Sequence, residues 1–156
     1  MLTLLLAVEV ITGQPAILWQ NVRAGMTFVE LKMVRPAARL IPAAEKHNWL
    51  QGCEIADDKV TIEGVVLDVC YDTQDGKVSA VLLHSPFKDH GGAADRFKPA
   101  LANAYGTPVL DVCGGFDRVM GYQTCNTVWK TGAISIKNDR IKLAKRNMIT
   151  LEVRAN

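Results

Sequence analysis

The sequence lacks the residue patterns that mark most small enzymes and cofactor-binding domains. Serine occurs at only three positions and no Gly-x-Ser-x-Gly segment is present, which excludes the usual serine hydrolase elbow. Neither Gly91-Gly92 nor Gly114-Gly115 leads into the Lys-Ser/Thr pair of a phosphate-binding loop. No Cys-x-x-Cys occurs, which argues against zinc ribbons and thioredoxin-type sites. We therefore expect no cofactor, no metal and no catalytic residue.

The composition also lacks a strong charge bias and has few aromatic residues. The 156 residues carry a net charge of +2, which is too balanced for us to expect nucleic-acid binding. Hydrophobic residues make up 49% and charged residues 22%, as in an ordinary globular protein. A chain of this length buries about 70% of its unfolded surface on folding, so a metal or a partner subunit is not needed for stability. The composition leaves the oligomeric state open.

The N-terminus carries the longest apolar run. Residues 2–8 are almost wholly apolar, and small or polar residues follow at 12–14. The run is too short and too interrupted to span a bilayer, so we expect no transmembrane segment. It is typical of the apolar and cleavage portions of a secretory signal, and we interpret residues 1–14 as a signal-peptide remnant. That interpretation predicts a periplasmic or secreted protein, whereas a first β-strand over residues 2–11 would fit a cytoplasmic one.

The four cysteines form an even set that suits an oxidising compartment. The simplest pairings follow chain order, Cys53 with Cys70 and Cys113 with Cys125, although three connectivities are open. Closing either short loop would stabilise the fold by about 3 kcal/mol in the chain-entropy model. The alternative is four reduced, buried thiols in a cytosolic protein.

Two segments have helical signals. Thr27 and Glu30 have the spacing of a capping box, with Met26 placed to pack on the helix as a hydrophobic staple. This predicts a short helix that ends at Arg35, because Pro36 disfavours helical geometry in the residue before it.

A second helix is predicted over residues about 94–105. Phe97, Leu101 and Tyr105 recur every four residues and form one apolar stripe, and Gly106 follows as a terminator. Pro99 is best tolerated in a first turn, so the regular helix is expected to begin near Lys98.

The remaining segments are rich in β-formers. Residues 65–72 and 77–84 flank Asp75-Gly76, which is a strong hairpin signal. The chain reads helix, strands, helix, strands, and this order predicts an α+β fold with two short helices on an antiparallel sheet. Residues 15–156 would form a single domain, with tandem helix-plus-strands half-repeats at about 22–86 and 93–156. Further strands are expected at 54–56 with 59–62, 109–113, 124–130, 133–137 and 148–154, with a loop at 85–92 and turns at 131–132 and 138–139.

Gly25-Met26-Thr27 followed by Glu30-Leu31 resembles the opening-helix motif of the small exported SmpA/OmlA-like proteins and of the related β-lactamase-inhibitor-protein fold. Residues 105–108, Tyr-Gly-Thr-Pro, resemble the end of the helix in such units. The resemblance implies a short helix against an antiparallel sheet, twice in tandem, and a protein-binding role without chemistry. No cysteine lies near the end of the apolar run, so a lipid anchor is not expected.

The partner implied by this interpretation is another protein, bound by an inhibitor, an immunity-type protein or an envelope accessory protein. Aromatic and basic residues are candidates for the contact, although in a domain with few aromatic residues a place in the core is the favoured interpretation of the tryptophans. The basic residues cluster between residues 137 and 146, where a solvated hairpin edge is the alternative to a docking patch for an anionic surface. The candidate partner-binding residues are Trp19, Trp49, Trp129, Lys142, Lys145 and Arg146.

The competing hypothesis is a small Cys/His-dependent hydrolase. Its nucleophile would be Cys113, which precedes Gly114-Gly115, and it would need an imidazole within hydrogen-bond reach. Alternatively, His84, Asp89 and His90 would act as acid and base. Their spacing matches no established helical ligand pair, and an exposed polar loop explains them better.

Overall fold

The computed structural model describes residues 15–156, so the predicted signal remnant and the alternative first strand lie outside the described residues. The described chain folds into an antiparallel sheet with a few short helices, which confirms the predicted α+β class. The helices are α1 (Phe28–Val34), α2 (Ala93–Tyr105) and a 3₁₀ helix (Ala43–Asn48). The strands are β1 (Ile17–Trp19), β2 (Val22–Arg23), β3 (Arg39–Leu40), β4 (Ile55–Ile62), β5 (Val65–Gln74), β6 (Lys77–Asp89), β7 (Leu110–Cys113), β8 (Gln123–Thr131), β9 (Ile134–Leu143) and β10 (Arg146–Ala155).

Eight strands form one sheet in the order β3-β4-β5-β6-β10-β9-β8-β7. All neighbours are antiparallel, and β1 and β2 form a separate two-stranded hairpin. Strand β10 pairs with β6 on one side and with β9 on the other, so the C-terminal strand lies in the middle of the sheet. Strands β3 and β7 are therefore the edges.

Helix α1 begins where the sequence predicts. The Thr27 hydroxyl accepts a hydrogen bond from the Glu30 backbone N–H, and the Glu30 carboxylate accepts one from the Thr27 backbone N–H at 2.7 Å. This reciprocal pair is the capping box. The helix ends at Arg35, directly before Pro36, and buries Leu31 in the core.

Helix α2 has the predicted bounds to within one residue, but its regular part begins earlier than the expected Lys98. It starts at Ala93, so Pro99 lies in its interior and not in its first turn. The expectation of a regular helix from Lys98 was therefore wrong. Burial of Phe97 and Leu101 against the sheet outweighs the backbone hydrogen bond that a helical proline removes. The end is as predicted, because the helix stops at Gly106, whose φ is +82°.

Asp75 and Gly76 form the predicted hairpin turn between β5 and β6, with φ angles of +53° and +73°. The predicted turn at residues 138–139 was wrong. Asn138 and Asp139 lie in the middle of β9, paired to both neighbouring strands, and the turn falls at Ala144, whose φ is +50°. The basic residues at 137–146 were expected at a hairpin edge. They do lie in a hairpin, β9–β10, but β9 is an interior strand and not an edge of the sheet.

The predicted loop at residues 85–92 is mostly strand. Residues 85–89 continue β6 and pair with β10, so only His90 to Gly92 connect β6 to α2. Pro86 lacks a backbone donor, but it lies beyond the β5 pairing and at an irregularity in the β10 pairing. An interruption of this kind is where a strand tolerates proline.

The sheet has two different faces. Alternate residues of the strands, such as Leu67, Leu83 and Leu151, pack with Leu31 of α1 and Phe97 of α2 in one core on what we call the helix face. The opposite side, the open face, carries a polar row across the sheet. By strand register this row consists of Asp68, His84, Thr150, Asp139 and Asn126.

Candidate partner-binding surface

Two disulfides link neighbouring segments of the sheet. Cys53, just before β4, is bonded to Cys70 of β5, and Cys113 of β7 is bonded to Cys125 of β8. The structure therefore confirms the pairings in chain order. Paired cysteines are typical of proteins from oxidising compartments, such as the periplasm or the extracellular space.

The Cys113–Cys125 bridge closes the β7–β8 hairpin below its turn. The Gly114 backbone N–H donates to the Thr124 carbonyl at 2.9 Å, and the Gln123 side-chain amide donates to the Gly114 carbonyl at 3.0 Å. These bonds extend the pairing beyond the disulfide. We call the turn that connects the two strands beyond these bonds, residues 116–121, the tip.

Asp117 organises the tip. Its Oδ1 accepts hydrogen bonds from the backbone N–H groups of Val119 and Met120, at 2.9 and 2.8 Å. Its own backbone carbonyl accepts from the Gly121 N–H at 2.7 Å, and Gly121 has a φ of +73° that favours glycine. An aspartate that bonds backbone groups two and three residues ahead is a common device for fixing a turn. The tip is therefore braced at its base by a disulfide and inside by one carboxylate.

The tip exposes large apolar side chains. Val119 is 94% exposed, Met120 62% and Phe116 59%. Scattered exposed hydrophobic residues are normal on a protein surface, but three within five positions of one braced turn are more typical of an interaction site. Val109, Leu110 and Val112 add exposed apolar surface along the adjoining strand.

The predicted basic cluster lies beside the tip. Lys142 is directly opposite Gln123 in the β8–β9 pairing, and a Cβ placed on Gly121 would lie 3.7 Å from Leu143 Cδ1. The β9–β10 turn, which carries the exposed residues Lys142, Lys145 and Arg146, is therefore adjacent to the β7–β8 turn. We call these three residues the basic turn. One end of the sheet thus presents an apolar tip next to three cations.

The three tryptophans are separated by the fold. Trp19 and Trp129 are buried in the main core, where Trp129 Nε1 donates to the Gly106 carbonyl at 2.9 Å. These two side chains fill the core and offer no contact surface. Trp49 is partly exposed and packs on a smaller cluster on the open face around the Cys53–Cys70 bridge.

The residues of the hydrolase hypothesis are not brought together. His84 points to the open face, where its Nδ1 is 3.2 Å from the Thr150 hydroxyl, whereas His90 Nε2 is 3.2 Å from the hydroxyl of buried Ser85 on the helix face. Burial lowers the pKa of His84, and the nearby Asp68 carboxylate offsets only part of that effect. Asp89 accepts a hydrogen bond from the Gly91 backbone. The Cys113 sulfur is bonded to Cys125, so in this oxidised form it is not a nucleophile.

A buried ionic group lies in β4, toward the opposite edge of the sheet from β7. The Asp57 side chain is fully buried in β4, and its Oδ2 accepts hydrogen bonds from Arg35 Nε at 2.6 Å and from the Tyr71 hydroxyl at 2.5 Å. Burial alone would raise the pKa of Asp57, but these two bonds and one from the Asp58 backbone lower it below its ordinary value. Arg35 also donates to Gln20 in the turn between β1 and β2. The group therefore joins α1, the small hairpin and the sheet.

Within residues 15–156, no group of three or more His, Cys, Asp or Glu side chains is arranged to hold a metal ion. No helix in that part of the chain is long and apolar enough to cross a membrane. No protein-family model, curated protein or solved structure matches the chain. The resemblance to the SmpA/OmlA-like and β-lactamase-inhibitor-protein families stays a prediction, since a capping box starts helices in many unrelated folds.

The residues of the basic turn were predicted from the sequence as a contact, whereas the tip was not. Phe116, Val119 and Met120 lie in the short loop between Cys113 and Cys125, for which no role was predicted. Their apolar character was nevertheless a usable signal. Connecting loops run over the protein surface, and a short loop closed by a disulfide has no core in which to bury three large apolar residues. Apolar residues inside such a loop point to a contact.

Proposed function

We propose that this protein is a non-catalytic, exported binding module that holds another protein through its tip and basic turn. The observation that carries the proposal is the exposure of Val119, Met120 and Phe116 on a turn braced by Asp117 and by the Cys113–Cys125 bridge. The partner would present an apolar cleft bordered by acidic groups.

The fixed conformation of the tip in the free protein supports this role in binding. Ordering a loop on binding costs free energy, and a turn that is already fixed in the free protein avoids much of that cost. Methionine and aromatic residues are enriched at interfaces and, where a pocket encloses them, contribute much of the affinity. The adjacent cations of the basic turn would speed association with an acidic partner and would select its orientation.

Architecture and compartment fit the same proposal. Helix α1 precedes β3 to β6 and α2 precedes β7 to β10, which supports two tandem helix-plus-strands units with their last strands, β6 and β10, paired at the centre. Two disulfides support a periplasmic or secreted location. An inhibitor, an immunity-type protein or an envelope accessory protein would combine these features.

A site-specific cross-linking experiment tests the proposal. A photoreactive amino acid replaces Val119 in one variant and Val29 in a matched control, because Val29 is also an exposed valine but lies on α1, away from the tip. Both full-length proteins are irradiated in an extracellular or periplasmic extract of the native host. Cross-linked proteins are identified by mass spectrometry.

The proposal expects one protein that cross-links at position 119 and not at position 29. Excess unlabelled wild-type protein should suppress the product, whereas excess Val119→Asp/Met120→Asp protein should not. Equal cross-linking at both positions, or a product that both competitors suppress equally, would contradict the proposal.

A further inference from the structure

Strand β7 has an unpaired edge next to the tip. Because the Gly114 N–H bonds the Thr124 carbonyl, alternation along the antiparallel pair points the backbone groups of Leu110 and Val112 toward β8. The N–H and C=O groups of Asp111 and Cys113 therefore point away from the sheet. No other described strand pairs on that side.

The two edges of the sheet differ in how well they are protected. Edge strand β3 has only two residues and covers only Ile55 and Ala56 of β4. The rest of β4 carries Lys59 and an irregularity between Asp57 and Val60, and short edges, lysines and bulges all discourage pairing with another chain. Edge strand β7 has four residues, all of them exposed, with neither proline nor lysine among them. Leu110 and Val112 present exposed apolar side chains on its open-face side. A strand of this kind is a template for an additional strand.

Charge indicates which occupant suits this edge. Residues 93–156, which include β7, the tip and the basic turn, hold ten Lys and Arg against five Asp and Glu, a net charge of +5. Residues 15–92 hold eight against ten, a net charge of −2. Pairing of two copies through β7 would bring two +5 halves together, which is unfavourable. An acidic segment would instead be attracted, and Lys98 already neutralises the local acid Asp111 at 2.6 Å.

We propose that the β7 edge binds an extended, acidic segment of the partner protein as an additional strand of the sheet. This proposal rests on the proposed function, because it states how the partner that binds the tip would also bind the neighbouring strand, and with which kind of segment. The backbone groups of Asp111 and Cys113 would supply the hydrogen bonds, and alternate apolar residues of the segment would contact Leu110 and Val112.

The probe is a display library of random ten-residue peptides, selected on immobilised full-length protein. The decisive variant is Asp111→Pro, which removes an outward N–H while leaving the backbone bonds to β8 in place, since proline is tolerated where an edge strand faces solvent. It also removes the carboxylate that accepts from Lys98 and from Thr127 of β8. Asp111→Ala is the matched control, because it loses the same carboxylate but keeps the backbone donor. Circular dichroism and thermal unfolding establish that both variants fold.

Enriched peptides should be acidic with alternating apolar residues. They should bind Asp111→Ala at least as tightly as wild type, because that change removes a negative charge and frees Lys98. They should bind Asp111→Pro about tenfold more weakly than Asp111→Ala, as expected for a lost backbone bond plus a blocked edge. Salt should weaken their binding. Hydrogen exchange measured by NMR should show protection on binding at the Asp111 and Cys113 amides, with no change at Leu110 and Val112.

Several results would overturn the proposal. These are a selection without acidic enrichment, equal binding to Asp111→Pro, a concentration-dependent dimer that protects the Asp111 and Cys113 amides, or protection of those amides already in the isolated monomer. A cross-linked partner that depends on Val119 and Met120 but binds Asp111→Pro normally would leave the proposed function intact and reject only the strand pairing.

Discussion

Cys113 lies directly opposite Cys125 in the β7–β8 pair, with the two Cα atoms 4.0 Å apart, and Cys113 is exposed to solvent. The other bridge differs in its surroundings, since Cys53 and Cys70 are both buried. Thiol–disulfide exchange needs access of the attacking thiolate to a sulfur. We therefore expect a mild thiol reductant to open Cys113–Cys125 well before Cys53–Cys70.

Alkylation of the released thiols followed by peptide mass spectrometry measures this order. The native protein should first yield a species labelled only at Cys113 and Cys125. The control is the same reaction in denaturant, where both bridges should open at similar rates. Preferential labelling of Cys53 and Cys70 under native conditions would contradict the described burial.

The capping box of α1 gives a second prediction. Thr27→Ala removes the hydroxyl that accepts from the Glu30 N–H, so the free energy of unfolding should fall by about 1 kcal/mol. Thr61→Ala, at an exposed strand position, is the control and should change it little. Urea denaturation of both variants measures the difference. Equal effects would show that the cap contributes nothing specific.

The third prediction concerns the stabilising effect of the buried Asp57 carboxylate. Asp57→Ala leaves Arg35 and the Tyr71 hydroxyl without their shared acceptor, and the free energy of unfolding should fall by about 3 kcal/mol. Asp58→Ala, which removes the exposed neighbouring carboxylate, is the control and should cost far less. Urea denaturation near neutral pH compares the two.

The same group makes stability depend on pH. Because the folded protein lowers the pKa of Asp57, the unfolded chain takes up the proton first as the pH falls. The contribution of Asp57 is therefore complete above the unfolded pKa of about 3.9 and is lost as the pH drops through the lower folded value. Between pH 6 and pH 3 the wild type should lose more stability than Asp57→Asn. A parallel loss in both proteins would contradict this assignment.

The parts of the fold that local chemistry determines were predictable from the sequence. Thr27 with Glu30 specified the start of α1, and Asp75-Gly76 specified the β5–β6 turn, because each motif satisfies its backbone requirements within a few residues. The order helix, strands, helix, strands was enough to predict an antiparallel sheet. Chain-order pairing was the simplest of three possible disulfide connectivities, and the sequence alone did not choose among them.

The incorrect secondary-structure predictions concern segments whose conformation depends on contacts with distant parts of the chain. Asn138-Asp139 has turn chemistry, yet both residues lie within β9 because they pair with β8 on one side and β10 on the other. Pro99 was expected to limit α2, but packing of Phe97 and Leu101 on the sheet holds the longer helix. No local pattern encodes these long-range contacts.

For the same reason, only the basic part of the candidate binding surface could be predicted from the sequence. The basic turn was visible as a cluster in the sequence, whereas its position beside the tip depends on the pairing of β8 with β9. The order of the strands also decides that β7 is an edge. Local periodicity carries no information about that order.

The proposed function requires the tip to carry the affinity for a protein partner. Its most direct test is the dissociation constant of the cross-linked partner for Val119→Asp/Met120→Asp compared with Val29→Asp/Met33→Asp. The control pair has the same residue types, is also largely exposed, and adds the same charge on α1. We predict about 100-fold weaker binding for the tip variant, from two lost apolar anchors, and unchanged binding for the control. Equal affinities for the two variants would contradict the claim.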